Sequence, residues 1–172
     1  MKQYSNLQPP TSNFKRSYTL IELLIFMGMI SILLVVLTEV FSSTLDVRRE
    51  SESISSVEQD GNFLLNRFMY DIPRATNINQ PNADGVTDTA LDITIDGASF
   101  IYSINNGNLE LTTGGTTKQL NGIDSTISNL TFKRIGNDDA KDTIQLGFTV
   151  TSKIQRTTGP ESKSYQTTVG LR

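Results

Sequence analysis

At 172 residues, with 37% apolar and 8% aromatic side chains, the chain is long enough for one domain and an appendage. It contains no cysteine and no histidine, which excludes disulfide staples and thiolate nucleophiles and removes the usual general base and the commonest zinc ligand. The formal charge of -3 is uneven, because residues 1–17 hold Lys2, Lys15 and Arg16 with no acid while residues 131–172 carry seven basic and four acidic side chains. The remainder is acidic, so a nucleic acid or other polyanion is disfavoured as a partner.

The first pronounced segment is apolar. Leu20 to Leu37 reads LIELLIFMGMISILLVVL, with Glu22 its single charge. As a helix it extends about 27 Å, near the thickness of a bilayer's hydrocarbon core. Lys15 and Arg16 precede it and the next cation is Arg48, so the positive-inside bias places the N-terminus in the cytoplasm and everything after residue 40 outside. A secretory signal peptide requires small residues at a cleavage site after the apolar run, whereas Thr38, Glu39, Val40 and Phe41 follow here. A plain membrane anchor leaves Glu22 unexplained, since a lone carboxylate in such a span costs roughly 2 to 3 kcal/mol.

The stretch Lys15-Arg16-Ser17-Tyr18-Thr19-Leu20-Ile21-Glu22-Leu23-Leu24 resembles the precursor signature of type IV pilins and type II secretion pseudopilins. That signature is a basic leader, a small residue, an aromatic, then Thr-Leu-Ile-Glu-Leu-Leu opening an apolar helix. Ser17 stands where the family usually has Gly, and Tyr18 where it usually has Phe. The resemblance implies that a prepilin peptidase cuts between Ser17 and Tyr18 and that the new amino group is methylated. It further implies that this ammonium pairs with Glu22 of a neighbouring subunit inside a filament, each buried charge answering the other and fixing axial register. Other pilin or pseudopilin subunits, an assembly platform membrane protein and, indirectly, an assembly ATPase are the implied partners. The implied location is the cytoplasmic (inner) membrane as a single-pass protein, then a cell-surface or periplasmic filament.

No proline occurs between Pro10 and Pro73, and apolar positions recur at Val47, Ile54, Val57, Leu64, Phe68 and Ile72, with Gly61 in the remaining slot. This spacing keeps one helical stripe. One helix from Tyr18 to about Ile72 is predicted, apolar all round at first and amphipathic afterwards, with Pro73 ending it. The stretch Phe68 to Ala75 resembles the helix end of J-type minor pseudopilins, with Pro73 an insertion relative to it. Asp71 and Arg74 read as exposed helix-terminal charges.

Asn77 to Asp88 reads as a turn-rich loop. Strands are expected at Leu91–Ile95, Phe100–Ile104, Leu109–Thr112, Lys118–Leu120, Ile127–Arg134, Thr143–Thr151 and Tyr165–Leu171, separated by turn-forming pairs such as Asp96-Gly97, Asn106-Gly107 and Gly114-Gly115. The expected fold class is α+β and pilin-like, a long N-terminal helix packed on one C-terminal antiparallel β-sheet. It divides into a leader (1–17), a membrane or filament-core half-helix (18–40), an amphipathic half-helix (41–74) and a β domain (75–172).

Oxygen ligands crowd at Asn137, Asp138, Asp139 and Asp142. A hard cation accepts such ligands, yet their spacing is not that of an EF-hand and turn-forming residues account for the run equally well. Asn82, Asp84 and Asp88 stand in the same position. No phosphate loop, nucleophile with base or metal quartet is present in the sequence, and no cofactor is called for. The expectation is therefore a structural subunit rather than an enzyme. The alternative is a surface adhesion module, binding DNA or glycan, that merely uses a pilin-type anchor.

Overall fold

Residues 18–137 and 140–172 are described in the computed structural model. Helix α1 runs Leu20–Asp71 and passes into a short 3-10 turn, Ile72–Arg74, where Pro73 supplies no amide hydrogen. Nine strands follow: β1 Asn77–Gln80, β2 Thr87–Asp88, β3 Leu91–Ile95, β4 Ala98–Asn105, β5 Asn108–Thr113, β6 Thr116–Gln119, β7 Ser125–Asn137, β8 Ala140–Ser152 and β9 Ser162–Gly170. The chain divides into two compact units, Met1–Ser43 and Thr44–Arg172.

The strands form two antiparallel sheets rather than one. One sheet has the order β1-β3-β4-β5-β6 and the other β2-β7-β8-β9. From β3 to β6 the first is a chain of two-residue hairpins. At Asp96-Gly97, Asn106-Gly107 and Gly114-Gly115 both central residues have positive φ, the geometry whose twist matches that of the strands it joins. The expected loop at Asn77–Asp88 contains β1 and β2, which are edge strands of four and two residues.

Burial in β3 and β8 alternates strictly, placing Leu91, Ile93 and Ile95, and Ile144, Leu146, Phe148 and Val150, on inner faces. Against these faces α1 presents Val57, Leu64 and Phe68, each fully buried. Phe68 contacts both sheets, its ring centroid 5.0 Å from Tyr102, 5.5 Å from Phe132 and 6.1 Å from Phe148. The result is an α+β arrangement in which the C-terminal part of one long helix packs on antiparallel sheets.

Two stripe positions differ from expectation. Val47 is 64% exposed and Ile54 38% exposed, because the covered face of α1 begins only at Ser53. Gly61, which completes the stripe, is the point of closest approach. A Cβ there would lie 2.0 Å from Cζ of Tyr165, whose hydroxyl donates to the Val57 carbonyl at 3.1 Å. The glycine therefore admits an aromatic ring directly onto the helix backbone.

Candidate membrane-spanning and assembly segment

The start of α1 is built by a capping arrangement that the sequence reading passed over. Thr19 precedes the first helical residue, its carbonyl accepts from the Leu23 amide at 3.2 Å, and its hydroxyl accepts from the Glu22 amide at 3.3 Å. Thr19 is thus the N-cap and Glu22 stands at N3, and the bond observed between them runs from the Glu22 amide to the Thr19 hydroxyl. Glu22 also lies in the first turn, where the positive end of the helix dipole favours an anion. The signal was present in the sequence as Thr followed three residues later by Glu ahead of an apolar run.

Tyr18, Glu22, Leu23 and Phe26 border a hollow of about 280 Å³ on one flank of the helix. The two residues singled out for assembly therefore share a flank within one chain. Lys15, Arg16 and Ser17 lie outside the described residues.

Beyond the cap the helix offers hydrocarbon. Every described residue from Tyr18 to Glu52 is exposed, including Leu23, Leu24, Ile25, Phe26, Leu33, Leu34 and Phe41 at 55% or more. Leaving so many large apolar side chains in water is unfavourable, at about 25 cal/mol per Å². The two hydroxyls of the run turn inward along the helix, with Ser31 donating to the Met27 carbonyl at 2.9 Å and Thr38 to the Leu34 carbonyl at 2.8 Å. Hydroxyls satisfied in this way suit an apolar surrounding as well as water. Among the described residues, this one helix is long and apolar enough to cross a membrane. Gly28 has no atom within 4 Å of where a Cβ would lie, so nothing within the chain requires a glycine there.

At its other end α1 carries a buried polar cluster. Asp71 is 1% exposed and Tyr102 fully buried; the Tyr102 hydroxyl donates to Asp71, and Arg67 Nε lies 2.6 Å from the same carboxylate oxygen. The reading of Asp71 as an exposed terminal charge is thereby corrected, because β4 closes over that turn of the helix. Burial and the Asp71 hydrogen bond push the Tyr102 hydroxyl above its ordinary value. Burial pulls the Arg67 guanidinium down, but Tyr102 and Asp71 outweigh it and its pKa rises. Arg74 is half exposed, 3.1 Å from Asp96 and over the Tyr70 ring at 4.9 Å.

Of the acidic residues considered as cation ligands, those within the described residues are engaged elsewhere. Asp142 lies 2.6 Å from Arg134 Nη2, and Asp84 lies 3.2 Å from Arg134 Nε. Arg134 also donates to the carbonyls of Ile78 and Pro81, each at 3.3 Å. This guanidinium thus joins both carboxylates and ties the segment around β1 to β7. Asp88 accepts from Gln80 at 2.7 Å and from the Thr89 amide at 2.7 Å, and these bonds lower its pKa. Among the described residues no group of three acids converges on a metal position; Asp138 and Asp139 lie outside them. No family model, curated protein or solved structure matches the chain.

Proposed function

We propose that the chain is a pilin-like structural subunit, inserted in the cytoplasmic membrane by the first half of α1 and assembled through that same half-helix into a type IV pilus-like or type II secretion filament. The observation that carries this reading is the contrast along a single helix. From Leu20 to Phe41 it is apolar and wholly exposed, whereas from Ser53 to Asp71 one face is buried against sheet. An apolar helix with no cover inside its own chain must be covered by lipid or by other copies, and a subunit that moves from membrane to filament uses both in turn.

The likeness of residues 15–24 to the prepilin signature supplies the order of events. A prepilin peptidase cuts between Ser17 and Tyr18, the new amino group of Tyr18 is methylated, and that cation pairs with Glu22 of a neighbour. In this reading the leader basic pair Lys15 and Arg16 keeps the N-terminus cytoplasmic and the β domain faces outward, as single-pass topology requires. The minor, J-type assignment rests on Phe68 to Ala75 alone.

The decisive measurement is N-terminal mass spectrometry of the protein taken from membranes of a cell with an active prepilin peptidase. The expected mature chain begins at Tyr18 with a methylated amine. A chain still beginning at Met1 under those conditions overturns the proposal.

A further inference from the structure

A hollow of about 600 Å³ lies on the outer face of the β2-β7-β8-β9 sheet, away from the buried side chains, within the roughly 300 to 1,000 Å³ usual for small-ligand sites. Its middle row, read across the strands, is Thr131, Gly147 and Gln166. Gly147 sits in the central strand β8 and leaves backbone as the floor. The fold does not require a glycine there. Its φ is not positive, and a Cβ would meet chiefly the Thr131 hydroxyl at 3.3 Å, which can rotate away. A glycine inside a strand weakens it and is kept where something approaches the backbone closely.

A second irregularity borders the same hollow. Between Ser128 and Thr131 the register of β7 against β8 shifts, and Asn129 adopts φ 51, so that both Ser128 and Asn129 face outward. Bulges of this kind re-aim a side chain; here the Asn129 amide reaches the Thr149 hydroxyl at 3.4 Å, and Thr149 in turn lies 3.0 Å from the Ser164 hydroxyl. A glycine within the strand and a register shift in its neighbour thus border one depression.

The lining chemistry narrows the ligand. Asn129, Gln145 and Gln166 bring three amides, each with donor and acceptor side by side, next to the hydroxyls of the threonines and Ser164. Lys133 is the single charge, too little to hold a polyanion. Phe148 and Tyr165 also line the hollow, but they are 2% and 8% exposed and stack on each other in the core, so no aromatic face is offered to a base or an apolar ligand. We propose that this face binds a neutral, hydroxyl-rich saccharide chain, whose vicinal hydroxyls match paired amide donors and acceptors. The site is independent of how the chain is processed or assembled.

The test uses the full chain in a detergent without a sugar headgroup, titrated calorimetrically with cello-, malto- and chito-hexaose and with a heparin hexasaccharide. At least one neutral oligosaccharide is expected to bind with a Kd of about 1 mM or tighter, and Gly147→Val to weaken it roughly 10-fold or more. Gln166→Ala and Gln145→Ala, both surface changes, are expected to weaken it several-fold with unchanged melting temperature; they decide the matter should Gly147→Val not fold. Absence of binding by every neutral probe, binding of the heparin fragment alone, or binding indifferent to both glutamines overturns the proposal. So does self-association abolished by Gln166→Ala without saccharide binding, which assigns the face to a second copy.

Discussion

Gly61 and Tyr165 compete for one volume, and the outcome of adding a methyl there can be argued from magnitudes. Alanine gains about 1 kcal/mol of helix propensity over glycine, whereas forcing a group into a packed site costs about 1 to 3 kcal/mol. The ring cannot easily yield, since it stacks on Phe148 at 5.4 Å and its hydroxyl is bonded to Val57. Gly61→Ala should therefore destabilise the protein in chemical denaturation, and the same change in a Tyr165→Ala background should be neutral or stabilising. Equal effects in both backgrounds would mean the two residues are not coupled. Tyr102 sets a second expectation. Its folded-state pKa is raised from 10.0, first by burial and then by the Asp71 bond, so above pH 10 the unfolded chain releases a proton that the folded chain keeps. Stability supplied by this group is complete below that pH and falls on the alkaline side by about 1.4 kcal/mol per pH unit until the folded hydroxyl also ionises. Tyr102→Phe should lower stability at neutral pH by roughly 1 to 2 kcal/mol yet flatten the alkaline decline. A shallower slope persists from Tyr165, which burial also raises. Parallel alkaline profiles for the two proteins would rule out Tyr102 as the source.

At the scale of elements, the two ends of α1 illustrate what a pattern conveys and what it does not. The membrane-length segment and its stop at Pro73 were legible because length, hydropathy and the missing amide hydrogen act locally. Seven of the nine strands were legible for the same reason, β3 to the residue, since alternation and turn pairs mark them. The four-residue strand β1, with Ile78 its one buried side chain, and the two-residue β2 carry too little alternation and exist through pairing with distant strands. The split into two sheets was hidden likewise, because sheet membership depends on partners far apart in sequence. Val47 and Ile54 keep the helical period although both stay exposed; periodicity defines a face, not its cover. The place of Glu22 in the first turn of α1 bears directly on the proposed assembly, because the helix dipole offers the carboxylate a role needing no neighbour. Glutamine keeps the size and hydrogen-bonding capacity of the side chain but no charge, whereas alanine loses both. An anion in the first helical turn is worth about 0.3 to 1 kcal/mol, while in the proposed filament an ammonium left unpaired in the apolar core costs about 3 to 5 kcal/mol. Glu22→Gln should thus fail to enter filaments as completely as Glu22→Ala, read as the share of subunit in sheared filaments against membranes. Incorporation of Glu22→Gln at the native level would remove the charge of Glu22 from any part in assembly.

For the whole molecule, the division at Ser43 and Thr44 separates two kinds of stability. No described residue before Ser53 is buried, so the hydrophobic core lies entirely within Thr44–Arg172. The same unit holds ion pairs from α1 to β9 and to the segment before it: Glu58 with Lys163 at 3.1 Å, and Glu50 with Arg156 at 3.7 Å, the latter guanidinium also 2.7 Å from Glu161. It also holds the Asp60 carboxylate, which accepts from the Gly122 amide at 2.9 Å and from the Ser125 hydroxyl and so fastens the loop before β7 to the helix. A fragment beginning at Thr44 keeps every one of these contacts and sheds the apolar segment. It is expected to be soluble without detergent, to unfold in one cooperative transition, and to melt within about 5 °C of the β domain in the full chain, because a first half-helix without buried contacts adds little to the global unfolding free energy. Differential scanning calorimetry of the two proteins, with flotation on lipid vesicles as the second readout, tests both halves of the argument. The full chain should float and the fragment should not. A fragment that fails to unfold cooperatively would show that residues before Thr44 support the core, and a fragment that floats would place the membrane affinity elsewhere than in the exposed half of α1.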